Sequence, residues 1–172
     1  MSTHRLTWAL LICIAVVVVF SGIGSYFYER QQLKRYLADN NFHAYEYLKT
    51  DDATLALFTN EDETLLGLAD MSVDGYGYGT VEILDMSPFD YIYSSDDSNH
   101  YIGIRLNKQP QNVAYLRIIG ERIQEQHVLN RPEEDDYAAT HIIELRNRPT
   151  SDWTLQTLDQ NEQVIDSIDL IE

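Results

Sequence analysis

Hydrophobic residues fall along this chain in two textures. From Leu6 to Gly24 they run without a charge, LTWALLICIAVVVVFSGIG, and Ala9 to Phe20 holds no polar side chain beyond the Cys13 thiol. As a helix this stretch is about 28 Å long, close to the hydrocarbon thickness of a bilayer. Trp8 at one end and Tyr26, Phe27 and Tyr28 at the other match interfacial aromatic belts. Val16 to Val19 form helix poorly in water, but lipid forces backbone hydrogen bonds inward. Residues 1–25 therefore predict a transmembrane signal anchor. A cleaved signal peptide, with Gly22 and Gly24 as small residues before the cut, is the competing reading. A lipoprotein signal at Cys13 is disfavoured, because Ile12 is bulky and apolar sequence continues past the thiol.

Residues 26–41 read as a helical stalk, or as a first helix lying against the sheet. Phe27, Leu33, Tyr36 and Leu37 share one broad face, and Asn40-Asn41 is a stop. From Phe42 the texture becomes short apolar segments broken by polar turns. Tyr45 to Lys49, Thr54 to Thr59, Glu63 to Met71 and Tyr76 to Met86 are candidate strands. Thr50-Asp51-Asp52, Asn60-Glu61-Asp62 and Val73-Asp74-Gly75 turn between them. These predict an antiparallel β meander over 42–100, ending in a short segment, Tyr91 to Tyr93, after Pro88.

Tyr101 to Leu106 alternates, with Ile102, Ile104 and Leu106 on one side and Tyr101, Gly103 and Arg105 on the other. Val113 to Ile119 points Ala114, Leu116 and Ile118 inward. Arg122 to Leu129 follows, then Tyr137 to Arg146 with Ile143 and Leu145 inward. Asp152 to Leu158 and Val164 to Leu170 make a last hairpin. Turn signals at this spacing predict an immunoglobulin-like β-sandwich over 101–172, with Ile102, Ile104, Leu116, Ile118, Leu145, Trp153 and Leu155 buried. The expected fold is mainly β. Residues 42–172 form either two units or one domain.

Charge changes the picture of location. The chain has 172 residues and a formal charge of −16, and Arg5 is the only Lys, Arg, Asp or Glu before residue 26. The whole negative charge thus sits on the folded part, which a phosphate backbone would repel, so nucleic acid is excluded as an expected partner. Lys34, Lys49 and Lys108 are the only lysines. An acidic, Lys-poor surface suits salty or alkaline surroundings. Basic residues counted alone, Arg5 before the run against Arg30, Lys34 and Arg35 after it, would put the C-terminal part in the cytoplasm. A short N-terminal tail before an apolar run behaves instead as a signal anchor, and with the acidic surface this places the folded part outside the cell membrane. With Cys13 the sole cysteine, the folded part has no disulfide and no thiolate metal site.

Candidate chemistry is sparse. His4, His43, His100, His127 and His141 are scattered, without zinc-ligand spacing. Gly75, Gly77 and Gly79 lack the Lys-Ser/Thr and helix of a phosphate loop, and read instead as bare backbone over which aromatic rings lie. The acidic clusters match no calcium loop. No cofactor and no catalytic constellation is expected. The acidic connections Ser94 to Asn99, with Asp96 and Asp97, and Arg131 to Asp136, with Glu133, Glu134, Asp135 and Asp136, are the candidate contact loops.

Three segments after the apolar N-terminus, Leu55 to Gly79 (LALFTNEDETLLGLADMSVDGYGYG), Tyr101 to Ile119 (YIGIRLNKQPQNVAYLRII) and Trp153 to Ile165 (WTLQTLDQNEQVI), carry a resemblance. In kind and order they resemble a group of uncharacterised, membrane-anchored proteins of Gram-positive spore-forming bacteria. The chain departs from that group at Gly75 to Gly79, where Tyr-Gly alternation replaces Trp and Lys. The resemblance implies an extracytoplasmic location and assigns no residue a role. The expected function is a membrane-tethered, non-catalytic interaction or structural module with a protein partner that the sequence does not name. An accessory or sensory subunit of a membrane complex, and a protein secreted after signal cleavage, are the alternatives. A hydrolase with a site assembled from distant residues is disfavoured.

Overall fold

The computed structural model describes Gly24 and residues 27–72, 75–84, 86–95, 99–121, 123–131, 138–148 and 152–171. The apolar run Leu6 to Phe20 and its expected membrane span lie outside the described residues. Among the described residues no helix is long and apolar enough to cross a membrane.

Among the described residues, 27–39 are helical (α1) and eleven strands follow. They are β1 (Phe42–Lys49), β2 (Ala53–Asn60), β3 (Leu65–Ser72), β4 (Gly75–Glu82), β5 (Phe89–Ser95), β6 (His100–Leu106), β7 (Tyr115–Gly120), β8 (Gln124–Val128), β9 (Thr140–Leu145), β10 (Asp152–Leu158) and β11 (Val164–Ile171). Three antiparallel sheets result: a first sheet β1-β2-β3-β4, a middle sheet β5-β6-β9 and an outer sheet β11-β10-β7-β8. With α1 they stack as four layers around three apolar clusters.

The stop of α1 follows from Asn40-Asn41. The Asn40 side-chain amide donates to the Tyr36 carbonyl at 2.8 Å, and Asn41 takes a left-handed φ of 59° that ends the helix. Of its expected face, Leu33 and Leu37 are fully buried against Ala56, Phe58 and Ala69 of the first sheet, while Phe27 is exposed. Glu29 ties the same helix to the sheet, accepting from Thr54 Oγ1 at 2.8 Å and pairing with Lys49 Nζ. Of the two readings of residues 26–41, the structure takes the helix against the sheet.

The β2 strand is buried along its length because both its faces are covered. Ala56 and Phe58 meet α1, and Leu55 and Leu57 meet the middle sheet. Gly67 on β3 is required here, since a Cβ at that position would run into the Phe58 ring. Gly103 on β6 has the same duty between layers: its bare backbone admits Leu57 from the first sheet. Asn60 closes the β2–β3 turn, its Oδ1 accepting the N–H groups of Thr64 and Leu65 at 2.8 and 2.9 Å.

The alternation in β6 is real, but neither face meets solvent. Ile102, Ile104 and Leu106 enter the cluster shared with Leu116, Ile118, Trp153 and Leu155 of the outer sheet. Tyr101 enters the cluster shared with Leu55, Leu57, Leu66 and Leu68 of the first sheet. All seven residues expected in the core are buried. The division expected at residue 100 falls inside a hairpin, because β5 pairs with β6 from Phe89↔Leu106 to Ser95↔His100. Likewise the first sheet has four strands, β1 beginning at Phe42.

Candidate functional site

Every open sheet has two edges, and a strand there presents unpaired N–H and C=O groups that invite another chain. In this fold most edges carry a deterrent. On β1 there is a bulge between Ala44 and Glu46, and Lys49 at its end. On β11 there are Asp166 and Asp169, and β8 is only five residues long. The edges of the middle sheet carry Asp90 on β5 and Glu144 on β9, and β5 lies against β3 and β4 of the first sheet. The β4 edge differs. From Gly75 to Val81 it has neither charge nor proline, and among the described residues it pairs only with β3. Tyr76, Tyr78 and Val81 on it are exposed, and Leu84 and Met86 just beyond are more so, at 60% and 86%.

Alternation puts both tyrosines of β4 on one side, with Gly75, Gly77, Gly79 and Val81 on the other. Tyr76 and Tyr78 stand on the face that α1 covers, opposite Met71 and Ala69 of β3. The Tyr76 ring stacks on Tyr36 of α1, centroids 4.5 Å apart and planes 10° from parallel. Tyr78 meets Phe42 and Phe58 edge-on at 5.8 and 6.1 Å. These contacts hold the rings in place while leaving Tyr76 43% and Tyr78 54% exposed. The expectation that rings lie over Gly75, Gly77 and Gly79 is corrected: they lean on helix and strand aromatics. The glycines face the other way, where Gly77 leaves room for the Asp70 carboxylate and Gly79 sits near Ile92. The ring over bare backbone is Phe58 at Gly67.

The buried ionisable groups lie elsewhere. Glu46 on β1 has one carboxyl oxygen, Oε2, buried without a hydrogen-bond partner. Burial raises its pKa from 4.5 to about 7, against the Ile142 N–H that favours the charged form. Burial also opposes the charge of Glu125 on β8, yet its pKa is held below the ordinary carboxylate range. The N–H groups of Arg146 and Asn147 and the Asn147 side-chain amide donate to it, each at 3.1 Å, and His127 Nε2 lies at 3.1 Å. It thereby locks β8 to the end of β9. Burial lowers the pKa of His141 against the Ala138 carbonyl. Asp90 is buried and pins the connection after β4 through Leu84 N–H and the Asn107 amide.

A polar cleft of about 480 Å³ opens at one end of the sandwich, lined in part by Asn112, Asn130, Asp159 and Gln160. Its polar groups serve the loops themselves: the Asn130 amide donates to the Pro110 and Val113 carbonyls, and Asp159 accepts from Asn161 and Gln163. Among the described residues no three His, Cys, Asp or Glu side chains gather to hold a metal ion.

Asp96, Asp97, Glu133, Glu134, Asp135 and Asp136 lie outside the described residues. The strands that carry their connections are described. His100, where β6 begins, pairs with Ser95 and Leu145, while Thr140 pairs with Arg105 near the end of β6. The described strand ends that flank them, Ser95 and His100 for one and Thr140 for the other, lie at opposite ends of β6, about 17 Å apart by strand rise. The β4 edge was missed by sequence reasoning: the uncharged stretch Gly75 to Val81 is visible in the sequence, but its place at a sheet edge is not. Comparison of the chain with known protein families, with curated proteins and with solved structures returned no match.

Proposed function

We propose that this chain is a membrane-tethered, extracytoplasmic interaction module whose contact edge is β4. The observation that carries the reading is the uncharged stretch Gly75 to Val81 of an edge strand, with Tyr76 stacked on Tyr36, Tyr78 edge-on to Phe42 and Phe58, and both exposed, on a chain that is otherwise strongly acidic. Exposed aromatic side chains held rigid lose little freedom on binding, which is why contact surfaces are rich in them. The tether rests on the uncharged run Leu6 to Gly24, and the outside location on the Lys-poor, acidic remainder.

The folded part is read as an immunoglobulin-like sandwich with a helix-backed sheet added in front. Counting from β5, the first, second and fifth strands form one sheet and the third, fourth, sixth and seventh the other. This is the seven-strand immunoglobulin order with its fourth strand moved to the second sheet. The accessory or sensory reading draws support from α1, which Leu33, Leu37 and Glu29 fasten to the same sheet that ends in β4. Displacement of the anchor would then reach the contact edge through packed side chains.

The test is a photo-crosslinking residue in place of Thr80 on β4, in the full chain in its own membranes, with Ser167 on β11 as control. Adducts of defined mass from position 80 alone are expected. Equal, diffuse labelling from both positions would refute β4 as the contact edge.

A further inference from the structure

We infer that β4 pairs antiparallel with β4 of a second copy of this chain, about a two-fold axis through Gly79; this rests on β4 being the contact edge. Charge selects the occupant. Two chains of net −16 repel over most of their surfaces, and screening at physiological salt still leaves a reach of about 8 Å. They can approach closely only where neither is charged, and Gly75 to Val81 is such a place. A basic partner would have no reason to choose the one edge from which charge is absent.

The register follows from backbone and side-chain size. Gly75 has φ 129°, outside the extended range, so the strand available for pairing is residues 76–82. An antiparallel pair of that segment with itself centres on Gly79, and residues directly opposite share a face. Tyr78 then stands opposite Thr80 of the second copy, and Tyr76 opposite its Glu82, which a phenol hydroxyl can reach. On the other face Val81 covers the bare backbone of Gly77. Large meets small or hydrogen-bonding at each pair, and no like charges are opposed. Centring on Tyr78 instead would bring the non-extended Gly75 into the ladder and leave Glu82 outside it.

The joined sheet has eight strands, and its aromatic face runs from Tyr36 and Tyr76 of one copy to those of the other. The seven paired residues, with Leu84 and Met86 alongside, make a small interface of the weak class. Two copies anchored in one bilayer meet at a raised effective concentration, so the pair is favoured there over free solution.

The experiment uses the full chain, with Cys13→Ser, in lipid vesicles. One population carries Thr80→Cys, and a second, tagged for size, carries Tyr78→Cys. Mild oxidation is expected to yield the mixed 80–78 disulfide, and none when Ser167→Cys replaces Thr80→Cys. Val81→Glu in both populations would set a carboxylate against the Asp70 that occupies the space beside Gly77. It should cut the yield at least about tenfold with the melting temperature unchanged. Association of the full chain in detergent should strengthen as salt rises from low to high, as befits two like-charged partners. Absence of the mixed disulfide, or yields insensitive to Val81→Glu, would overturn self-pairing. If the photo-probe at Thr80 then captures a different protein in native membranes, self-pairing alone is lost. If it captures nothing, the contact edge falls with it.

Discussion

Replacing Glu46 by Gln should stabilise this protein, and more so as the pH rises. The carboxyl lies where β1 of the first sheet approaches β9 of the middle sheet, one oxygen buried without a partner and the group facing the Ile142 N–H. Burial lifts its pKa from 4.5 to about 7 in the folded chain. The folded state therefore holds this proton more tightly than the unfolded state does. Its contribution is fully present below pH 4.5, declines as pH rises, and is gone above about 7. At about 1.36 kcal/mol per pKa unit the full shift would be worth roughly 3.4 kcal/mol. The side chain is partly open to water, which screens the charge, so about 1–2 kcal/mol is the realistic size. Gln keeps an acceptor for the Ile142 N–H and never ionises. The assay is urea unfolding of the chain shortened to residues 26–172, wild type against Glu46→Gln, at pH 4.5, 6 and 8. Equality at pH 4.5 and a gain of about 1–2 kcal/mol at pH 8 are expected, a rise of about 2–8 °C in melting temperature. A variant less stable than wild type at pH 8 would refute the reasoning.

Leu155→Ala, at the centre of the sandwich core, should cost about 2–5 kcal/mol in urea unfolding, and Leu33→Ala a comparable amount if α1 is part of the cooperative unit. An unchanged midpoint for Leu33→Ala would mean that the helix does not share in folding. Gly103→Val should prevent the close approach of Leu57 and destabilise by about 1–3 kcal/mol, recovered in part by Leu57→Ala in a double-mutant cycle. Glu125 has a depressed pKa, so its stabilisation is present above the ordinary carboxylate pKa and lost as pH falls through the folded value. Glu125→Gln should therefore weaken the protein at neutral pH and flatten its acid limb, read from melting temperatures between pH 3 and 7. The full chain should stay with membranes through carbonate washing; a processed protein beginning near Ser25 in the medium would put a signal peptide in place of the anchor.

Most strands were legible because alternation survives wherever one face is apolar by necessity. Ile102, Ile104, Leu116 and Ile118 stand where period-two reading puts them. What alternation cannot report is the identity of the second face. In β6 the other side is Tyr101, Gly103 and Arg105, a set that fits solvent equally well, and only the location of Leu57 beneath Gly103 shows a third sheet there. The same ambiguity hid β5. Tyr91-Ile92-Tyr93 is too short a run to declare a partner, and its pairing with β6 depends on a chain reversal, not on composition. The place of β4 at a sheet edge was illegible for a different reason. Whether a strand is an edge is a property of sheet order, which local sequence does not encode, so the uncharged stretch Gly75 to Val81 could equally have been a central strand.

The seam between β1 and β9 carries one more consequence. His141 on β9 is the chain neighbour of Ile142, whose N–H faces Glu46, so an acid and a base are each desolvated at this seam. Burial pushes the acid up and the base down, and both changes favour the uncharged forms. The signs oppose each other in pH. A histidine whose folded pKa is lowered contributes stability above its ordinary 6.5, lost as pH falls below it. Glu46 contributes stability that disappears as pH rises towards about 7. The two contributions therefore change in the same acid-to-neutral range with opposite signs and partly cancel there, and above about pH 7 neither changes further. Glu46→Gln should remove the fall in stability between about pH 4.5 and 7, and His141→Gln should remove the rise that approaches pH 6.5 from the acid side. A single limb abolished by both substitutions would mean that the two groups titrate as one unit.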